Sequence, residues 1–145
     1  MIEIIKNEVE ELAYIIYSSF KQDGIKFITP NSFSQQLAYM SHPKGKQIAP
    51  HVHNPVAREV QFTQEVLVIK TGKLRVDFYD SQKNYLESRV LSAGDVILLA
   101  SGGHGFEVIE DLEMFEVKQG PYAGDADKTR FECISKDKLQ IKEAK

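Results

Sequence analysis

Three histidines and two glutamates carry the spacings that chemistry would use in this chain. His51 and His53 stand one residue apart, Glu59 and Glu65 follow, and His104 comes later in a glycine-rich stretch, Gly102-Gly103-His104-Gly105-Phe106. Alternate residues of an extended strand point to one face. On a strand, His51 and His53 would project together, and two neutral imidazoles at that separation can converge on one ion. Glu65, from a neighbouring strand, would add an anionic oxygen. Two imidazoles and a carboxylate on one side of an ion leave coordination positions open, which distinguishes reactive metals from structural ones. Glu59 is the rival carboxylate. If 59–65 is one unbroken strand, Glu59, Gln61, Thr63 and Glu65 share a face, and Glu59 becomes a partner for a ligand or a general base. Otherwise Arg58 and Glu59 are an exposed pair on a loop.

The elements that must hold these residues read as strands for most of the chain. Residues 2–21 are the exception: Ile5, Val9, Leu12, Ile16 and Phe20 make a stripe at helical spacing, with Gly24 as a C-terminal stop, and predict a helix covering a sheet. Strands are expected over 25–29, 33–41, 46–52 and 59–71. Gly72-Lys73 is a hairpin signal, with 74–79 as the returning strand. Further strands are expected over 85–91, 96–100, 105–109 and 114–119, separated by turns at 92–95, 101–103 and Glu110-Asp111. Within 74–79, Leu74, Val76 and Phe78 would be core. Arg75, Asp77 and Tyr79 would lie outside or at a subunit contact. The stretch 120–128 reads as a polar loop, 130–135 as a last strand and 136–145 as a frayed helix or tail. Many short strands between turn residues predict an all-β barrel or sandwich.

Composition narrows the class. The 145 residues are 42% hydrophobic and 27% charged, the balance of a folded globular domain rather than a disordered chain. A length near 150 suits one domain with its own core. A net charge of −3 argues against the basic face that nucleic-acid binding requires. Apolar runs are too short for a membrane helix, and the acidic N-terminal stretch does not read as a secretory signal, so a cytoplasmic protein is expected. Cys133 is the single cysteine, which excludes an intramolecular disulfide; its apolar neighbours predict a buried, inert thiol. His42, before Pro43 in a turn, is expected to be exposed. No phosphate-cradling loop, nucleophile elbow or zinc-finger spacing occurs.

Two stretches resemble the paired motifs of the cupin superfamily. Gly45, five residues, His51-Val52-His53, Glu65, six residues and Gly72 resemble the first motif; Gly94-Asp95, an apolar run and His104-Gly105-Phe106 resemble the second. The resemblance spans roughly residues 45–118. It implies a double-stranded β-helix (cupin) barrel or jelly roll carrying the N-terminal helix, with residues 1–24 as helix, 25–135 as barrel and 136–145 as tail of a single domain. It implies one divalent transition metal (iron, manganese, nickel, cobalt or zinc) bound by His51, His53, Glu65 and His104, the spacing to Gly72 favouring Glu65 over Glu59. It also implies a homodimer and a small-molecule substrate. The reaction expected is that of a metal-dependent isomerase, epimerase or dioxygenase on a sugar, sugar nucleotide or keto acid; a non-catalytic sensor module is the alternative. Eleven residues, Asn54 to Gln64, separate the histidine pair from Glu65, a longer gap than the family's usual one. That insertion is the expected determinant of substrate.

Overall fold

The computed structural model describes residues 1–144, as two compact units: residues 1–20 with 62–144, and residues 21–61. Eight strands and two short 3-10 turns make up its regular structure: β1 (Ile2–Lys6), β2 (Glu11–Ile16), β3 (Gly24–Phe27), β4 (Ala38–Ser41), β5 (Glu65–Tyr79), β6 (Tyr85–Ser92), β7 (Val96–Leu99) and β8 (Gly103–Lys118), with the 3-10 turns at Gly124–Asp127 and Lys136–Lys138. The all-β expectation holds.

The expected N-terminal helix is instead a hairpin of β1 and β2, paired Ile2↔Ile16 to Lys6↔Glu11. The side chain of Asn7 starts the turn, its Oδ1 accepting from the backbone N–H groups of Val9 and Glu10 at 2.8 Å each. Isoleucines at 2, 4, 5, 15 and 16 lose less rotamer freedom on a pleated surface than on a helix. Leu12 to Ile16 is buried without a break, as a strand covered on both faces requires. Val9, a member of the helical stripe, is 91% exposed at the turn.

In the first unit a strongly curled antiparallel sheet runs in the order β1-β2-β7-β5-β6, and β8 also pairs with β5. Its core gathers Leu12 and Ile15 from β2, Leu67, Ile69, Val76 and Phe78 from β5, and Ile97 from β7. β5 and β8 are paired from Glu65↔Lys118 to Tyr79↔Gly103. The hairpin expected at Gly72-Lys73 and the turn expected at Glu110-Asp111 are therefore neither turn nor chain reversal. They are one bend shared by two paired strands, with register shifts between Ile69 and Leu74. Gly72 sits there at φ +81°, and a Cβ on it would stand 2.0 Å from the carbonyl oxygen of Asp111.

Arg75, Asp77 and Tyr79, expected outside or at a subunit contact, are buried at 8%, 2% and 3% exposure. Burial is tolerated because the charges are paired: the Arg75 guanidinium donates to both Asp77 carboxylate oxygens, at 2.8 and 3.0 Å, and also to Glu107. Ser88 of β6 donates to Asp77 as well. The expected strand at 130–135 does not form, and Cys133 is exposed rather than buried. The tail returns to the sheet through a parallel bridge, Ser88↔Ile141.

In the second unit β3 and β4 form a two-stranded hairpin, Gly24↔Ser41 to Phe27↔Ala38. The strand expected over 33–41 is thus confined to its last four residues. No strand forms between 42 and 64, against the expectation for 46–52 and 59–64. Pro50 and Pro55 each remove a backbone donor beside the histidine pair. The approach to β5 is held by side chains in place of a ladder: Gln64 N–H donates to Gln119 Oε1 at 2.6 Å and the Thr63 hydroxyl to Asp127 Oδ1 at 2.8 Å.

Gly72→Ala is expected to lower the unfolding free energy by about 2 kcal/mol or more, from the left-handed backbone and the contact with Asp111 together. Urea denaturation measures this; an unchanged midpoint would show that the two strands do not approach at the bend.

Candidate functional site

Glu65 opens β5 and His104 stands near the start of β8. In the ladder they are far apart: Glu65 pairs with Lys118, and His104 pairs with Phe78 at the other end of β5. A flat ribbon would hold them on the order of 40 Å apart at about 3.3 Å per residue. The curl of the sheet brings His104 Nε2 to 3.3 Å from Glu65 Oε2. The Glu65 side chain is 7% exposed and that of His104 30%, so the pair is covered on the carboxylate side and open on the imidazole side.

Local sequence sets each partner. Gly102, at φ +67°, lets the chain turn against the Tyr79 carbonyl, where a Cβ would lie 2.4 Å from its oxygen; His104 stands two residues on. Phe106 packs its ring on that of His104, with centroids 5.2 Å apart. His104 beside Glu65 holds the glutamate carboxyl below its usual range, chiefly through the hydrogen bond between them, against the opposing effect of burial. Lys118 and Lys128 add smaller favourable fields.

His51 and His53 belong to the other unit. They are exposed and lie off any strand, so the same-face argument from strand alternation does not apply to them. Their rings are nonetheless neighbours, 5.2 Å between centroids and 76° between planes. His51 Nδ1 lies 3.0 Å from the Ala49 carbonyl oxygen. A proton on Nδ1 donated there leaves Nε2 as the lone-pair nitrogen, the tautomer a metal ligand needs. Glu59 is exposed and off any strand, so the shared face with Gln61, Thr63 and Glu65 does not exist. It lines an open cavity of about 570 Å³ with Arg58 and the 31–36 loop. His42 is exposed, as expected.

The four proposed ligands thus come as two pairs, one in each unit. Among the described residues no three histidine, cysteine, aspartate or glutamate side chains form a metal-binding group. The Glu65–His104 pair by itself has the chemistry of half a site. Two donors on one ion at about 2.1 Å stand about 3.0–3.4 Å apart at octahedral or tetrahedral angles, and the observed separation falls in that interval. An imidazole with a carboxylate suits zinc, iron, nickel or cobalt. Sequence reasoning overlooked the buried charges on β5 and β6: Arg75 with Asp77, and Arg89 with Glu3 at 2.7 Å and Glu87 at 3.0 Å. Alternation of opposite charges along 75–77 and 87–89 was the available signal.

Protein-family models, curated proteins and solved structures were each compared with the chain, and none matches. Among the described residues no helix is long and apolar enough to cross a membrane.

The depressed Glu65 carboxyl fixes a sign. A carboxyl whose folded pKa lies below its unfolded value stabilises the protein above the unfolded value, and that contribution is lost as pH falls through the folded one. Glu65→Gln is therefore expected to lose stability at neutral pH, by about 1–2 kcal/mol for a hydrogen bond to a charged group. The difference from wild type should shrink as pH falls through the carboxylate range. Denaturant midpoints of both proteins from neutral to acidic pH measure it; a constant difference would remove the ionised pair from the account.

Proposed function

We propose that this chain is a metal-binding cupin and a metal-dependent enzyme, of isomerase, epimerase or dioxygenase type, acting on a small polar substrate. Its ligands are His51, His53, Glu65 and His104. The observation that carries this reading is the 3.3 Å approach of His104 Nε2 to Glu65 Oε2 from distant positions of the β5–β8 ladder. Two residues singled out by motif spacing alone, one in each motif, meet at donor-to-donor distance. The strongly curled antiparallel sheet supports the reading further, because a cupin barrel is made of curled antiparallel strands.

Each residue has a part. Glu65 is kept anionic by its neighbour and is shielded from water, so its oxygen is a strong donor. His104 is the more exposed member and faces incoming ligand. His51, with Nδ1 turned to the Ala49 carbonyl, presents Nε2. His53 completes the set on the strength of the motif. When bound, the ion supplies Lewis acidity toward substrate oxygens at its open positions.

Elemental analysis of protein purified without added metal tests the proposal. Wild type is expected to carry a stoichiometric transition metal. His51→Ala and Glu65→Ala are each expected to lose it while keeping the far-ultraviolet spectrum of a β-sheet protein. Full metal content in both folded variants would overturn the ligand assignment.

A further inference from the structure

The 21–61 unit carries an open cavity of about 570 Å³ that owes nothing to the Glu65–His104 pair. One wall is the segment joining β3 to β4. Gln36 fixes that segment from within. Its Nε2 donates to the carbonyls of Pro30 at 3.0 Å and Phe33 at 2.8 Å, and its Oε1 accepts from the Thr29 hydroxyl at 3.1 Å. Thr29 is buried, and its Oγ1 also accepts from Leu37 N–H at 3.1 Å. Ile28 N–H donates to the Leu37 carbonyl and closes the base. The wall is therefore built before any ligand arrives, which removes an ordering cost from binding.

Its chemistry is mixed. Phe27 and Phe33 supply apolar surface, and Phe27 is 61% exposed although it ends a strand. Asn31, Ser32 and Ser34 add neutral hydrogen-bonding groups. Arg58 and Glu59 bring opposite charges to the same cavity. Among the described residues the Arg58 guanidinium has no hydrogen bond or ion pair, and Glu59 has one long contact, to Gln61 Nε2 at 3.4 Å. The two do not pair with each other within salt-bridge distance.

Those two charges decide the class of ligand. A neutral molecule would displace water from both and compensate neither. A simple anion would answer Arg58 and be repelled by Glu59. A molecule with a carboxylate and an ammonium answers both, the carboxylate taking the planar guanidinium in a two-point hydrogen bond. The phenylalanine rings then select an apolar substituent between the charges. We propose that this cavity binds a zwitterion with an apolar side chain, as a free α-amino acid or as a short peptide with both termini free. Arg58 holds its carboxylate and Glu59 its ammonium. A cavity of this volume has room for either form.

Nuclear magnetic resonance titration of the full chain tests this without reference to any metal. The probes are L-phenylalanine, the dipeptide phenylalanyl-alanine, N-acetyl-L-phenylalanine, which lacks the ammonium, and L-phenylalaninamide, which lacks the carboxylate. The free amino acid or the dipeptide is expected to give saturable shifts of the amides of residues 27–36 and 58–59, the tighter of the two naming the physiological form. Each blocked analogue is expected to bind about fivefold more weakly, the scale of an exposed charge pair. Arg58→Ala, an exposed position, should abolish the discrimination against the amide, and Glu59→Gln the discrimination against the acetylated form. The assignment is overturned by equal affinity for charged and blocked probes, by discrimination that survives both substitutions, or by no saturable shift in those residues.

Discussion

Everything in the larger unit depends on one pairing, the antiparallel ladder of β5 with β8. β5 is the strand on which the other pairings converge: β7 lies against its first part, β6 against its second, and β8 along both. The bend near Gly72 is what keeps these demands compatible. Without it the two strands would continue as an open ribbon, and the apolar residues on either side of the bend would face separate regions of solvent. With it, Leu67 and Ile69 before the bend and Val76 and Phe78 after it share one core. Hydrophobic burial then rewards the curl, and the juxtaposition of Glu65 with His104 follows from it.

This dependence explains what could be read from the residues and what could not. Strand type was legible wherever alternation or β-branched runs were strong, as over 65–79, 85–92 and 96–99. Glu65 and His104 were both singled out by spacings that resemble a family pattern, and the structure places the two side chains 3.3 Å apart. Turn chemistry misled where it was real but not terminal. Gly72 does adopt a left-handed backbone, yet its partner strand bends with it, and no single-strand signal reports what the neighbour does. The N-terminal stripe failed for a related reason: its spacing suited a helix, while the Asn7 side chain and the isoleucines favoured a hairpin, and tertiary cover by β7 decided between them. Residues 42–64 misled through Pro50 and Pro55, whose missing donors count for more than the alternation around them. Glu59 was set on a face of a strand that these residues do not make.

The buried charges give the sheet a second kind of order. Apolar residues in a sheet tolerate exchange for one another; a guanidinium and a carboxylate do not. Asp77 stands opposite Ser88, which donates to it, and Arg89 reaches Glu3 on the edge strand β1. A slip of one residue between β5 and β6 would part Asp77 from Ser88, and one between β5 and β8 would part Arg75 from Glu107. The Arg75–Glu107 pair and the Ser88–Asp77 hydrogen bond therefore favour one register of β8 and β6 on β5.

The order of the strands also has a kinetic consequence. β1 and β2 form a local hairpin, as do β5 and β6, but β2 finds its other neighbour only at β7, and the start of β5 meets its partners at Leu99 and Lys118. The pairings of β7 with β2 and β5, and of β8 with β5, join residues distant along the chain, so loop closure must precede many of the stabilising contacts. Such a chain folds slowly for its size and passes through states in which β5 has an open edge. The residue that completes the ladder, Lys118, lies far beyond the strand it completes. During synthesis the edge of β5 that pairs with β8 stays open until β8 has emerged, and that interval is when this protein is most exposed to association with copies of itself.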